Sequence, residues 1–215
     1  ATDSLLWHAL GAQGADKRET ASERLGIIHR YYTVYSDLVL VGADGRAVAT
    51  ANPAYRRNVL DMDYRTAAWF EAAMATGSGD DYVVDEVRRS RSQQGRQVLI
   101  YATAVREGGR THGRPLGALG IYFDWETQGT TIVTDEIALT DAEKRRTSVM
   151  LLDAGLRVIA TTDQPLLFTE YPLETRGRAR GSYHDADGAL VAFARTHGYQ
   201  EYDGRGWYGV VVQHA

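Results

Sequence analysis

Arg65 and Trp69 stand four positions apart, so a helix would carry them on one face, and Tyr122 and Asp124 stand two apart, so a strand would do the same. These pairs fall within Asp61 to Asp124, where aromatic and charged side chains recur at positions that a plain core would fill with Leu, Val and Ile. The chemistry they offer is recognition. A small polar ligand wants an apolar, aromatic-walled cavity with a few placed donors and acceptors. The Arg65 fork suits a carboxylate, Trp69 and Phe70 supply walls, Tyr82, Tyr101 and Tyr122 supply hydroxyls from strands, and Asp124 supplies an acceptor. A blander reading stands beside this one. Arg65 is then an exposed helix arginine paired with Asp61, Trp69 packs a core, and the tyrosines are semi-buried with satisfied hydroxyls.

Catalytic patterns are missing. The six histidines, at 8, 29, 112, 184, 197 and 214, show no metal-ligand spacing, and cysteine is absent, which removes disulfides, Cys-zinc sites and a thiol nucleophile. No nucleophile elbow or P-loop occurs. GRPLGALG at 113–120 leads into a strand and opens no helix, so its glycines serve turns. The carboxylate pairs Asp80–Asp81 and Asp85–Glu86 are adjacent, and neighbours on a strand point to opposite faces. No enzyme activity, cofactor or metal is expected.

The elements that must position these groups follow from pattern. A content of 44% hydrophobic and 10% aromatic residues fills a core, and no run reaches the ~20 apolar residues of a membrane span. LLWHAL near the start has no basic segment before it and does not make a signal peptide. A net charge of -4 argues against nucleic acid, and the basic run RRSRSQQGR at 88–96 is expected to be a solvated hairpin tip. Residues 4 to about 35 are expected to form a helix, with Leu25, Ile28, Tyr32 and Tyr35 at helical spacing and Gly11 and Gly14 weakening its start. A second helix is expected over 61–76. DDYVVDEV, QVLIYATAV and GALGIYFDW are strand candidates, and Thr140 with Glu143 signals a capping box and a short helix from Asp141.

The hairpin at 37–53 recurs at 149–164. Placing Arg46 on Arg157, an offset of 111 (157 − 46), also superposes Ala43 on Ala154, Ala49 on Ala160 and Thr50 on Thr161. Two related modules are expected, the second reduced because PLLFTEYPLETRGRARG is too punctuated by Pro and Gly for a full helix. Placing Gly120 on Gly209 pairs Tyr122 with Val211 and Asp124 with Gln213. Placing Ala102 on Ala194 pairs Tyr101 with Phe193. On this alignment only the first module is built for a polar ligand.

The doubled hairpin, the Trp-Phe helix, DDYVVDEV and the closing GALGIYF resemble a double Cache sensor domain, the extracytoplasmic region of bacterial chemoreceptors, sensor kinases and cyclic-di-nucleotide enzymes. The resemblance implies an α+β fold in which a long N-terminal helix (1–36) precedes two PAS-like modules. Each module is a central antiparallel sheet flanked by helices. The distal, ligand-binding module is expected at 37–130, a linker with a short helix at 131–147 and the smaller proximal module at 148–215. It implies a periplasmic domain of an inner-membrane chemotaxis receptor that dimerises through its N-terminal helix. The alternatives are the sensor of a histidine kinase or diguanylate cyclase, or a non-binding dimerisation and relay module. Amino-acid-binding members carry Arg two residues before the Trp-aromatic pair, and Asp in the last distal strand. Those positions are Ala67 and Tyr122 here, with Arg65 earlier and Asp124 later. The expected ligand is therefore a small organic acid of acetate type.

Overall fold

A computed structural model describes residues 3–11, 17–135, 138–197 and 204–214. The chain divides into two compact units, Ala1–Trp125 and Glu126–Ala215, each built on its own antiparallel sheet.

In the first unit, α1 (Ser4–Ala9) and α2 (Arg18–Tyr31) replace the single N-terminal helix expected from the sequence, and residues 12–16 lie outside the described segments. Helix α2 stops at Tyr31 because the aromatic and β-branched run after it enters a strand; Tyr35, expected on the helix, opens β1 (Tyr35–Gly42). Strand β2 (Ala47–Thr50) turns back through Gly45, whose φ of 77° suits glycine and whose missing side chain leaves room for the Arg65 backbone.

The helix expected over 61–76 is two short helices, α3 (Arg56–Asp61) and α4 (Ala68–Met74). Residues 62–67 between them are tied to the hairpin by an Arg46–Asp63 bridge and by Tyr64 N–H donating to the Gly45 carbonyl. Only Val83–Val84 of DDYVVDEV pairs as a strand, β3, and Arg88–Arg89 forms β4; both lie along β5 (Gln97–Arg106). Strand β6 (Pro115–Asp124) lies between β5 and β1.

The sheet separates two apolar layers. Leu38, Leu40 and Leu119 face α1 and α2, where Leu6, Ala21 and Leu25 close the core. Val39, Val41, Ile100, Ala102 and Tyr122 face the α3–α4 layer. Alternation along each strand assigns every residue to one of these faces.

Helix α5 (Trp125–Thr134) starts on the last residue of the first unit and continues into the second, where α6 (Asp141–Lys144) follows. The expected capping box is present, with Thr140 Oγ1 accepting from Glu143 N and Thr140 N donating to Glu143 Oε2. Its sheet runs β8 (Val158–Thr161), β7 (Thr147–Leu152), β11 (Tyr208–Gln213), β10 (Leu190–Arg195), β9 (Arg180–His184).

The hairpin repeat holds pair by pair. Val39 pairs with Thr50 and Leu40 with Ala49, and the residues 111 positions on (39 to 150), Met150 with Thr161 and Leu151 with Ala160, pair likewise. Even the register irregularity recurs, between Leu40 and Val41 and between Leu151 and Leu152. The two later strands need a correction by one residue. Val39 lies opposite Gly120, and Met150 lies opposite Val210, so Gly120 corresponds to Val210 and not to Gly209. Tyr122 then corresponds to Val212, Asp124 to His214 and Tyr101 to Ala192. A one-residue slip exchanges the two faces of a strand, so the earlier pairing compared opposite faces.

Candidate functional site

The inner face of the first sheet, under α3 and α4, holds an aromatic cluster. Trp69 packs edge-on against Tyr64, Phe70 and Tyr122, with ring centroids 5.7, 5.9 and 6.1 Å apart. Gly120 makes this possible, since a Cβ there would lie 3.0 Å from the Trp69 ring. Helix α4 thus drops its first aromatic onto a position of β6 that has no side chain.

A polar cluster sits beside these rings. Asp37 is fully buried, at 0% exposure, where β1 has an irregular register between Tyr35 and Asp37. Its Oδ1 accepts from the backbone N–H groups of Leu38 (2.8 Å), Ala51 (3.0 Å) and Asn52 (2.9 Å). Its Oδ2 accepts from Thr50 Oγ1 (2.7 Å) and Gln93 Nε2 (3.2 Å). All five donors are neutral. Burial pushes the Asp37 carboxyl above its ordinary value, although its hydrogen bonds to Thr50, Asn52, Gln93 and Leu38 pull the other way.

Gln93 comes from RRSRSQQGR, expected to be solvated. Ser90, Ser92 and Gln93 of this turn are instead buried, because the Gln93 amide reaches Asp37 and Ser90 and Ser92 bond each other at 3.0 Å. Arg91 and Gln94 stay exposed.

Gln93 Oε1 and the Tyr64 hydroxyl are among the buried side-chain atoms of the described residues that have no hydrogen-bond partner within the protein. Ser92 and Tyr122 lie around the Tyr64 hydroxyl, but neither meets it in hydrogen-bond geometry. Burial pushes the Tyr64 phenol up to about 12 and the Tyr122 phenol well above its ordinary value, so both stay protonated.

Of the side chains singled out in the sequence, Trp69, Phe70 and Tyr122 share this face. The register places Ile100 opposite Tyr122 and Tyr101 opposite Ile121, so Tyr101 belongs to the other face. Tyr82 accompanies it. It is 56% exposed, stands 6.4 Å from the Tyr101 ring, and lines with Tyr35, Ile121 and Phe123 an open apolar groove of about 480 Å³. Arg65 is not on a helix with Trp69, because it precedes α4. It is exposed and bonds Asp63 through its backbone N–H (3.0 Å), Nε and Nη2, and the partner suggested by spacing, Asp61, is 3.9 Å from Arg57 instead. Asp124 has the parity of Tyr122 but receives both bonds of Arg96 Nη2, at 2.9 and 3.0 Å. A single pocket holding all seven side chains is therefore not formed.

Tyr64, Asp37, Ser92 and Gln93 were missed. One signal was present: Asp37 precedes Val39 and Val41 at period two, which puts a carboxylate on a buried strand face. The second unit carries a separate concavity of about 540 Å³, bordered by Lys144, Arg145, Thr147, Thr162, Asp163 and His214. No cluster of potential metal ligands occurs among the described residues.

No protein-family model matches the chain, and no curated protein matches it. Solved structures do. The ligand-binding domain of the Pseudomonas aeruginosa PAO1 amino acid chemoreceptor PctC, in complex with GABA, superposes at a TM-score of 0.64 and 20% identity, covering 99% of this chain and 88% of that one. The PctB ligand-binding domain of the same organism, in complex with L-Arg, gives 0.63 at 17% identity over 99% and 84%. The sensor domain of the V. cholerae histidine kinase DctB gives 0.65 at 13% identity over 100% and 85%. The chain has the two-sheet α+β fold of Cache-type sensor domains of chemoreceptors and histidine kinases.

Proposed function

We propose that this chain is the extracytoplasmic sensor domain of a bacterial membrane receptor, and that a small molecule binds the inner face of its first unit. The observation that carries this is an aromatic cluster on that face beside buried polar atoms, Gln93 Oε1 and the Tyr64 hydroxyl, that lack protein partners. The fold supports it: PctC and PctB are ligand-binding domains with GABA and L-Arg. A chemotaxis receptor is the output we favour; DctB keeps a histidine kinase as the alternative, beside a diguanylate cyclase. No helix among the described residues is long and apolar enough to cross a membrane. The proposal places the membrane spans in flanking sequence, the domain in the periplasm, and a homodimer contact on the N-terminal helices, where Ile27 and Tyr31 are exposed.

An acetate-like ligand rested on Arg65 turning inward. With its guanidinium on Asp63, that ligand requires the pair to open. Signalling requires the ligand to prefer one conformation of the domain over another. A face closed by Trp69 and Tyr122 meets that condition, because binding has to shift α4. The same closure favours a second reading, a relay module whose first face is filled by its own side chains.

A thermal-shift panel of organic acids, amino acids, amines and purines separates the two, since binding to the native state raises the melting temperature by mass action. The expected result is a hit that weakens in Trp69→Leu and Tyr122→Phe and survives Arg65→Ala. A hit unaffected by the first two variants overturns the site, and no hit in any class overturns the sensor in favour of the relay.

A further inference from the structure

Resting on that sensor function, we infer that the ligand of the first unit's inner face is a hydrogen-bond donor, a small amide, amidine or amine, and not a carboxylate. Gln93 Nε2 donates to Asp37 Oδ2 at 3.2 Å, which leaves the amide carbonyl oxygen, an acceptor only, turned away from that carboxyl. That oxygen is buried in a residue of 0% exposure and meets no donor of the protein. The Tyr64 hydroxyl, in a residue of 2% exposure, also lacks a partner in hydrogen-bond geometry, but it can donate as well as accept. Buried polar groups are nearly always paired, so the open Gln93 acceptor beside the aromatic cluster marks what an incoming molecule has to supply.

The charge balance points the same way. Asp37 is held by three backbone amides, a hydroxyl and a side-chain amide, and none of these cancels its charge. Three arginines near the cluster in sequence are committed elsewhere, Arg65 to Asp63, Arg88 to Asp85 and Arg96 to Asp124, and Arg91, beside Ser92, is exposed. A carboxylate entering here would meet the acceptor oxygen of Gln93 and an Asp37 carboxyl whose donors are all neutral, whereas a hydrogen-bond donor would be matched by them. Tyr122, Trp69 and Phe70 complete the site as amphipathic and apolar walls, and Tyr64, Tyr122 and Ser92 can each turn a hydroxyl to accept or donate.

Acetamidinium, acetamide and acetate have nearly the same size and shape and differ in charge and donors, so they isolate the inference. Each is titrated into the isotope-labelled chain while the Gln93 side-chain NH2 and the Trp69 indole N–H are followed by NMR. Acetamidinium and acetamide are expected to move both signals at concentrations at least about tenfold below those acetate needs, the worth of one hydrogen bond. The response of the Trp69 indole N–H is expected to disappear in Gln93→Met, and both responses to weaken in Tyr64→Phe, with unchanged dispersion elsewhere showing the fold of each variant intact. Acetate acting at equal or lower concentration overturns the donor class and leaves the sensor standing. Three ligands that leave both signals unmoved also overturn the donor class, while the wider thermal-shift panel judges the sensor separately.

Discussion

The two units share a hairpin down to its register irregularity, yet they fill the inner faces of their sheets by different means. In the second unit, Phe193 pairs with Val210 and Val191 with Val212, and these side chains close a core with Leu173. In the first, the corresponding pairs are Ala102 with Gly120 and Ile100 with Tyr122. The small residues leave a depression in the sheet, and the Trp69 ring from α4 occupies it. Asp37 stands where the second unit has Ser148. A sheet sealed by its own side chains needs no helix over that face, and the second unit has only a 3-10 turn at Gln164–Leu166 in that stretch. A sheet sealed by a helix can be unsealed when the helix moves. The comparison thus supports the proposal of a ligand site on the first unit's inner face.

The largest effect is expected from removing the plug. Trp69→Ala, followed by chemical denaturation, should cost the first unit about 3–5 kcal/mol, the range for an aromatic truncated in a packed core. Equal loss in both units' transitions would break the comparison. Next, Asp37→Ala leaves three backbone N–H groups, a hydroxyl and an amide without their acceptor, and should cost about 3–4 kcal/mol, while Ser148→Ala should change stability by less than about 1 kcal/mol.

Tyr64 supplies the pH dependence. Its phenol is raised from 10.0 to about 12, so the folded state holds a proton that the unfolded chain releases. Its share of the stability is complete below pH 10 and is lost as pH rises toward 12, by about 2–3 kcal/mol, and Tyr64→Phe should remove that share from an alkaline denaturation series while the losses from Tyr122 and Tyr171, whose phenols are also raised, remain. Smallest is the glycine pair. Gly120→Ala drives a methyl into the Trp69 ring and should cost about 1–3 kcal/mol, whereas Gly209→Ala, whose nearest neighbour lies 3.9 Å away, should stay within about 0.5 kcal/mol of the parent.

Much of this was legible in the sequence. The repeat at Arg46 and Arg157, the strands and the Thr140 capping box all depend on local pattern or on direct likeness within the chain. The candidate site was legible only in part. Trp69, Phe70 and Tyr122, which share its face, stand out as bulky aromatics, but Tyr101 was grouped with them and lies on the other face. Parity within one strand says nothing about a second strand until the register joins them, and that register is set by the irregularity after Tyr35 and by the β5–β6 turn. Arg65 was placed on a helix because its spacing to Trp69 is helical. The Asp63 carboxylate instead accepts its N–H two residues on, a local bond that competes with helix. Gln93 and Ser92 were hidden by their neighbours, since three arginines around them, Arg89, Arg91 and Arg96, make the turn look solvated.

The most direct test of a ligand site on the first unit's inner face is a map of amide and indole NMR shifts across the whole chain, with the strongest thermal-shift hit at saturation. The expected map centres on Tyr64, Trp69, Ser92, Gln93 and Tyr122 and leaves residues 144–149 and 210–213 unmoved. A map centred instead on Tyr35, Tyr82 and Tyr101, or on the second unit, would contradict it.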